Sequence, residues 1–144
     1  MSPFSITFRE LRIFSGLRQA EFAAQLGYEQ SYISAIELGT KGPPTVDFVA
    51  RLIHRFELDE EWKNRLLDAL EVSHRKIVLP SEASEELYKM FNELRRQLDK
   101  LHPAQVELMQ VALRLPESIL ANAAKPTVLP RRKIRRNKNE TGEA

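Results

Sequence analysis

The sequence predicts an all-α protein. Its 144 residues include only five glycines, runs of β-branched residues are few, and apolar residues recur at spacings of three and four, the period of one helix face. The length suits one ordinary domain or two small ones and excludes a large multidomain enzyme. We therefore expect a chain of helices separated by glycine and proline.

The signals at helix ends predict five helices in the first half of the chain. Ser2 and Pro3 are an N-cap with proline at the first helical position. Helices over about 19–26 and 30–38 each stop at a glycine, which can take the left-handed conformation of a C-terminal cap. Further along, Thr45 and Asp59 are expected to cap a fourth and a fifth helix.

The second half is predicted to contain a connector, two helices and a tail. Residues 76–80 are extended, because proline at 80 blocks helix. Ser81 is expected to cap a long helix, residues 102–103 to interrupt it, and a further helix to run over 104–115. The predicted organisation is a five-helix domain over 1–76, a second helical region over 77–122, and a disordered basic tail over 123–144.

Composition excludes several classes of function. The net charge is +2, but seven basic residues and no acid lie in 125–138, so residues 1–124 carry −3. No cysteine is present, which excludes disulfides and thiolate chemistry. The three histidines lack metal-ligand spacing, and no glycine-rich elbow or phosphate loop occurs. We expect no enzyme, no metal and no cofactor. Because apolar runs are short, we expect a soluble cytoplasmic protein without membrane contact.

Residues 19–38 form a specific combination, predicted to be two helices folded around a tight turn. Ala23 is small enough to let the helices approach. Gly27, four residues later, permits the positive φ that lets them cross steeply. Ile33 and Ile36 then supply the apolar face of the second helix. The alternative interpretation is an ordinary α-hairpin without a DNA-binding role.

This stretch resembles the helix-turn-helix of the Cro/Xre type, the lambda-repressor-like DNA-binding family. The resemblance covers roughly residues 6–72. It implies that Gly27 makes the turn and that the helix from Gln30 is the recognition helix. It also implies a salt bridge between helix one and the recognition helix, because Arg12 and Glu37 occupy positions that the family commonly joins in this way.

The recognition helix carries candidate base-contacting residues in its first turns. Gln30, Ser31 and Ser34 have short polar side chains that can reach base edges in the major groove, and glutamine can pair bidentately with adenine. Ala35 could contact a thymine methyl. The ring of Tyr32 either reaches phosphate or a base, or it covers the helix surface. For the polar residues the alternative is ordinary solvated helix surface.

Phosphate contacts are expected from Gln19 at a helix N-terminus, from Arg18 beside it, and from Lys41 after the recognition helix. Two residues depart from the family pattern. Arg18 stands where the family usually has a serine or threonine cap. Glu29 begins the recognition helix, where it either accepts from a cytosine amine or favours the helix dipole while weakening nonspecific binding.

A candidate dimer seam lies further along the chain. Its residues are spaced four, three, four and three, as in a coiled coil: Leu87, Phe91, Leu94, Leu98 and Leu101. The stripe either packs between two subunits or packs within one chain against the helix from 104 or the fifth helix. A homodimer is expected independently, because repressors of this type read paired half-sites.

The predicted function is that of a sequence-specific, double-stranded-DNA-binding transcriptional regulator, a dimeric repressor of bacterial or phage type acting on an inverted-repeat operator. The alternative is an antitoxin-like module in which residues 81–124 bind a partner protein and the helix-turn-helix only autoregulates. The basic tail either touches DNA, as basic arms do, or is a solvated tail.

Overall fold

The computed structural model describes residues 1–122, and this part of the chain forms helices and turns without a strand. The prediction of an all-α fold is confirmed. The helices are α1 Pro3–Phe14, α2 Gln19–Leu26, α3 Gln30–Leu38, α4 Val46–Arg55, α5 Glu60–Glu71, α6 Glu85–Gln97, α7 Pro103–Leu113 and α8 Glu117–Leu120. The predicted basic tail lies outside the described residues.

The chain divides into two compact units. The N-terminal unit comprises residues 1–82 and contains α1 to α5, and the C-terminal unit begins at residue 83 and contains α6 to α8. Residues 74–80 form no helix and lie near the end of the first unit. The boundary after residue 76 therefore stays a prediction, close to the observed division.

Three of the first five helices begin at a residue whose side chain caps the helix. Ser2, Thr45 and Asp59 each accept a hydrogen bond from a backbone N–H of the first turn through their side-chain oxygens. These bonds satisfy amides that have no partner within the helix. At the other ends of α2 and α3, Gly27 and Gly39 adopt φ values of 76° and 73°.

One hydrophobic core lies among α1 to α5. Phe8 is fully buried at its centre, with its ring centroid 5.4 Å from that of Phe22 and 6.0 Å from that of Phe48. The other large, fully buried side chains are Phe4, Leu11, Ile33, Val49, Leu52 and Leu66. Burying each such side chain contributes roughly 1.5–3 kcal/mol. Because Ile33 belongs to this core, α3 has a fixed position against α1 and α2.

Replacing Gly27 by alanine is expected to lower the free energy of unfolding by about 1 kcal/mol, because an L-residue is strained at positive φ. A Cβ at Gly27 would meet no atom within 4 Å, so backbone strain alone produces the loss. Gly42→Ala is the matched control, since its Cβ also meets nothing and its φ lies outside the left-handed region. Denaturant unfolding measures the free energy of unfolding of both variants. Equal values would contradict the assignment of backbone strain to a residue at position 27.

The C-terminal unit corrects two predicted helix boundaries. Helix α6 begins at Glu85 rather than after Ser81, because the hydroxyl of Ser84 accepts from the backbone N–H of Leu87 at 3.2 Å. Ser81 lies in a turn and donates to a carboxylate oxygen of its neighbour. Helix α7 begins at Pro103 and ends at Leu113, two residues before the predicted end.

Helix α6 is also shorter than the predicted seam. Leu87, Phe91 and Leu94 lie within the helix, whereas Leu98 is its C-cap and Leu101 follows it in the connection to α7. A continuous helical stripe through Leu101 is therefore absent from the described part of the chain. Among residues 83–122 none is buried.

Candidate nucleic-acid interface

Helices α2 and α3 pack against each other around a short turn. The N–H of Tyr28 donates to the carbonyl of Ala23 at 3.0 Å, which closes the C-terminal end of α2. Ala23 is 2% exposed, and Ile33 and Ile36 are buried on the inner side of α3. The opposite side of α3 therefore faces away from the core and is open to a ligand.

A network of three side chains joins α1, α2 and α3. The Nε of Arg12 donates to Oε1 of Glu37, and its Nη2 lies 3.3 Å from Oε2. The Nη1 of the same guanidinium donates to the carbonyl of Leu17 at 3.0 Å. The side-chain amide of Gln19 donates to Oε2 of Glu37 at 2.7 Å. Glu37 is buried, and the guanidinium of Arg12 balances its charge while the amide of Gln19 adds a hydrogen bond.

This network uses the side chain of Gln19, which the sequence analysis assigns to phosphate contact. A phosphate contact at Gln19 would therefore come from its backbone N–H at the first position of α2, where the helix dipole favours an anion. Arg18 precedes it as the N-cap and is exposed. Arginine has no side-chain acceptor, and instead the carboxylate of Glu21 accepts from the N–H of Arg18 at 2.9 Å.

The predicted base-contacting residues share the outer side of α3. Gln30 and Ser31 are exposed, and Ser34 and Ala35 are half-buried. Residues four apart lie above one another on a helix, so Gln30 and Ser34 form one row and Ser31 and Ala35 the next. The first row continues to Leu38, which is 64% exposed. Leu38 is not among the residues predicted to contact DNA, although its spacing of four from Ser34 could have indicated it.

Tyr32 stacks on Tyr28 at one side of α3. Their ring centroids are 4.9 Å apart and the ring planes differ by 18°. The Nζ of Lys41 lies 4.6 Å from the centroid of the Tyr32 ring, within the range of a cation–π interaction. Both rings also contact the buried Phe48 by their edges. The core therefore anchors this aromatic pair, and the pair holds Lys41 beside α3.

The hydroxyl of Tyr32, like that of an ordinary tyrosine, is uncharged at neutral pH, and its surroundings favour this state further. Partial burial is the larger cause and the neighbouring Tyr28 the smaller, and both raise the pKa of Tyr32 above its ordinary value of 10.0. A neutral phenol can donate a hydrogen bond to a phosphate oxygen, whereas a phenolate would repel the phosphate. The protonation state is thus compatible with a place beside DNA.

Two hollows flank α3. One of about 510 Å³ is lined by residues including Tyr28, Ser31 and Lys41. The other, of about 220 Å³, is lined by residues including Arg9 and Ser34. Helix α3 is therefore a ridge between two depressions, with a basic side chain beside each. The sequence analysis did not select Arg9, although it lies three residues before Arg12 on α1.

Glu29 lies at the positive end of the α3 dipole. It is the N-cap residue, is exposed, and makes no side-chain capping bond to the helix backbone. The hydroxyl of Ser31 lies 3.5 Å from its Oε2, at the limit of a hydrogen bond. The carboxylate is therefore placed to favour the helix dipole.

Tyr32→Leu is expected to weaken binding to a duplex by roughly 2- to 5-fold, because a cation–π contact at an exposed site contributes roughly 0.5–1 kcal/mol. Tyr32→Phe keeps the ring and should retain most of the affinity. Fluorescence anisotropy at two salt concentrations measures both variants. Equal losses in the two variants would show that the hydroxyl, and not the ring over Lys41, makes the contribution.

Two further findings concern residues 1–122. In this part of the chain no three histidine, aspartate or glutamate side chains are grouped so that they could hold a metal ion. None of its helices is both long and apolar enough to cross a membrane.

Comparison with known protein families agrees with this geometry. Residues 3–66 match a family model described as a helix-turn-helix domain. Searches of curated proteins and of solved structures found no significant match. The match spans α1 to α4 and most of α5, including the whole α2–α3 motif. Residues 3–66 thus form a helix-turn-helix domain, and the match fits the Cro/Xre-like family, which confirms the resemblance seen in the sequence.

Proposed function

We propose that the protein is a transcriptional regulator that binds double-stranded DNA sequence-specifically, with α3 in the major groove. The observation that carries this proposal is the ridge formed by α3. Its inner side is held by Ile33, Ile36 and the buried Glu37, while Gln30, Ser31 and Ser34 lie together on its outer side. A rigid helix with short polar side chains on one face suits readout of base edges.

Phosphate contacts supply the second part of the proposed interface. Lys41 is held over the Tyr32 ring on one side of α3, and Arg9 borders the hollow on the other side. Arg18 and the N–H of Gln19 lie at the start of α2. Residues 1–56 carry a net charge of only +1. Because nonspecific affinity comes from neutralised phosphates, binding should depend on base contacts and on a second subunit.

We propose that the second subunit binds through the C-terminal unit. No residue in 83–122 is buried, and large apolar side chains such as Leu98, Leu108 and Leu113 are exposed there. Extended apolar surface of this kind usually marks an interface. A two-fold dimer presents two recognition helices to an inverted repeat. Occupation of such an operator blocks access of other proteins, so we propose repression, exerted in the cytoplasm.

Selection from a random duplex pool by the full chain tests the proposal. We expect enrichment of an inverted repeat. Gln30→Ala should then weaken binding to that duplex by about 1–3 kcal/mol and relax preference at one position of each half-site. Lys41→Ala should weaken all sequences similarly and lower the salt slope by about one.

Asn64→Ala is the matched control, because Asn64 is an exposed amide on α5 rather than on α3. It should leave both the enriched sequence and its affinity unchanged. A pool without enrichment would overturn sequence-specific binding. An unchanged sequence preference in Gln30→Ala would remove the role assigned to that side chain.

A further inference from the structure

The segment that follows α5 contacts the C-terminal end of α3. Ser73 is buried, and its hydroxyl accepts a hydrogen bond from the backbone N–H of Phe4 at 2.9 Å and donates to the carbonyl of Ala69. Two residues later, the Nη2 of Arg75 donates to the carbonyl of Gly39, the C-cap residue of α3. The side chain of Arg75 therefore extends from an anchored segment to the end of α3.

The positive charge of Arg75 has no acidic partner within the part of the chain that the structure describes. The residue is exposed, and no carboxylate of residues 1–122 is in salt-bridge contact with its guanidinium. A guanidinium carries several N–H donors, and Gly39 accepts from Nη2. Arg75 therefore keeps N–H donors and its charge available for a ligand outside the chain.

The C-terminal end of α3 has no cation of its own. Its last turn contains no basic residue, and the buried acid there, Glu37, is already balanced by Arg12. The helix dipole places a partial negative charge on the last carbonyls of α3, which would repel a phosphate. Arg75 offsets this negative end from outside the helix.

Helix α3 is long enough to bring its C-terminal end to the rim of the major groove. Recognition helices of this type place their N-terminal residues at the base edges, so the other end lies towards the phosphates. The nine residues of α3 span roughly 13 Å, close to the groove width of about 12 Å. Leu38, which precedes Gly39 and ends the outer row of α3, is 64% exposed.

The loop after α3 gives Arg75 a fixed acceptor. The backbone N–H groups of Thr40 and Lys41 donate to the carbonyl of Ala35, at 3.1 and 3.3 Å. The loop thus folds back on the last turn of α3, and the carbonyl of Gly39 has a defined position. A guanidinium bonded to it is held in place before a ligand binds, which lowers the entropic cost of binding.

We propose that Arg75 contacts a phosphate of the DNA backbone while it donates to the carbonyl of Gly39. A guanidinium can bind a phosphate bidentately. Such a contact fixes the end of α3 on the duplex without reading a base. It adds a cation to a domain whose residues 1–56 carry a net charge of only +1. Residue 75 also lies outside residues 3–66, so the family match does not cover it.

The salt dependence of binding tests the proposal in the full chain. Arg75→Gln should weaken binding to the selected duplex and to an unrelated duplex several-fold, by similar factors. It should also lower the slope of log affinity against log salt by about one for each bound subunit, because it removes the charge. Arg75→Lys retains the charge and should keep the slope. Anisotropy measures the affinities, and circular dichroism checks that both variants are folded.

Arg55→Gln is the matched control. Arg55 is also exposed, and its Nε donates to a backbone carbonyl, that of Gln25 in α2, at 3.0 Å. This variant loses the same charge and the same kind of bond, but at α2 rather than at α3, and should keep the slope. If it lowers the slope as much as Arg75→Gln does, net charge alone explains the effect and the proposed contact is overturned.

Ethylation interference locates the contact on the selected duplex. Ethylation removes the charge of a phosphate, so it weakens binding at each phosphate that the protein contacts. We expect one phosphate in each half-site where ethylation weakens binding of the wild type but not of Arg75→Gln. The same interference pattern in both proteins would overturn the proposal.

This inference rests on the DNA binding of the proposed function, and the two can fail separately. A wild-type chain that binds no duplex overturns the proposed function itself. A wild-type chain that binds its selected duplex, with an unchanged salt slope in Arg75→Gln, overturns only the phosphate contact. Loss of folded structure in both Arg75→Gln and Arg75→Lys would assign Arg75 to stabilisation of the domain alone and would overturn the contact as well.

Discussion

Arg12→Ala is expected to destabilise the N-terminal unit by about 3–5 kcal/mol, because it leaves a buried carboxylate without its cation. Glu37 would keep the bond from the amide of Gln19 but lose both guanidinium contacts. The carbonyl of Leu17 would lose its donor as well. Such a loss is a large part of the stability of a small domain. Denaturant unfolding of the full chain, followed by fluorescence of Trp62, measures it.

Arg65→Ala is the matched control for this prediction. Arg65 also joins another helix to α1, through Glu10, but the two side chains are 43% and 51% exposed. Exposed ion pairs contribute roughly 0.2–1 kcal/mol, and the guanidinium of Arg65 also lies 4.3 Å from the centroid of the Trp62 ring, a contact of roughly 0.5–1 kcal/mol. This variant should still lose less stability than Arg12→Ala. Its unfolding is followed by circular dichroism, because the substitution changes the surroundings of Trp62. If both variants lose the same amount, burial of Glu37 does not control the strength of the network.

Leu94→Glu combined with Leu98→Glu is expected to dissociate the proposed dimer and to lower operator affinity by roughly 100-fold or more, because the two half-sites would no longer bind as one unit. Four carboxylates would enter the apolar interface of the dimer, where their desolvation is unfavourable. Light scattering measures the mass, and anisotropy with the selected duplex measures the affinity. The residues of α3 that are predicted to contact bases are unchanged.

Asn92→Glu is the control for added charge on the same helix. Asn92 is exposed and lies two residues from Leu94, on the other side of α6. This variant should remain dimeric and bind the operator as the wild type does. If the double glutamate variant stays dimeric, Leu94 and Leu98 do not lie between two copies, and this side of α6 packs within one chain. Thermal unfolding checks that the N-terminal unit remains folded in each variant.

Local signals predicted the N-terminal helices well, because caps and glycines act within one turn of chain. The bounds of α2 and α3 agree with the sequence pattern, since Gly27 and Gly39 stop each helix through their own backbone conformation. The spacing of apolar residues indicates less reliably which residues of a helix are buried, as α4 shows. Val46 begins an apolar repeat along α4 but is 65% exposed, and Phe48 is buried instead. Val46 is the first residue of its helix, so the side chains that reach the core begin two residues later.

The sequence alone does not decide where the helices of the C-terminal unit begin and end. Both Ser81 and Ser84 precede glutamates and either could cap a helix. Pro103 disfavours helical geometry at His102, but α6 already ends at Gln97, five residues earlier. His102 adopts extended geometry and caps α7, with its Nδ1 accepting from the N–H of Ala104 at 3.0 Å. The preceding turn ends α6 before the leucine stripe is complete.

The candidate interface was predictable only in part. Helical spacing places Gln30 and Ser34 in one row on the outer side of α3. The bond from Gln19 to Glu37 and the position of Lys41 over Tyr32 depend on distances between elements, which spacing along one helix does not determine. Tertiary packing therefore decides which polar side chains remain available to DNA and which hold the helices together.

Methylation interference on the selected duplex tests most directly whether α3 enters the major groove of a paired site. Dimethyl sulfate modifies guanine N7, which lies in the major groove, and adenine N3, which lies in the minor groove. We expect N7 methylation to block binding in two clusters, with centres separated by about one helical turn of DNA or a multiple of it. Adenine N3 methylation within those clusters should be tolerated. Interference at adenine N3 alone would contradict the placement of α3 in the major groove.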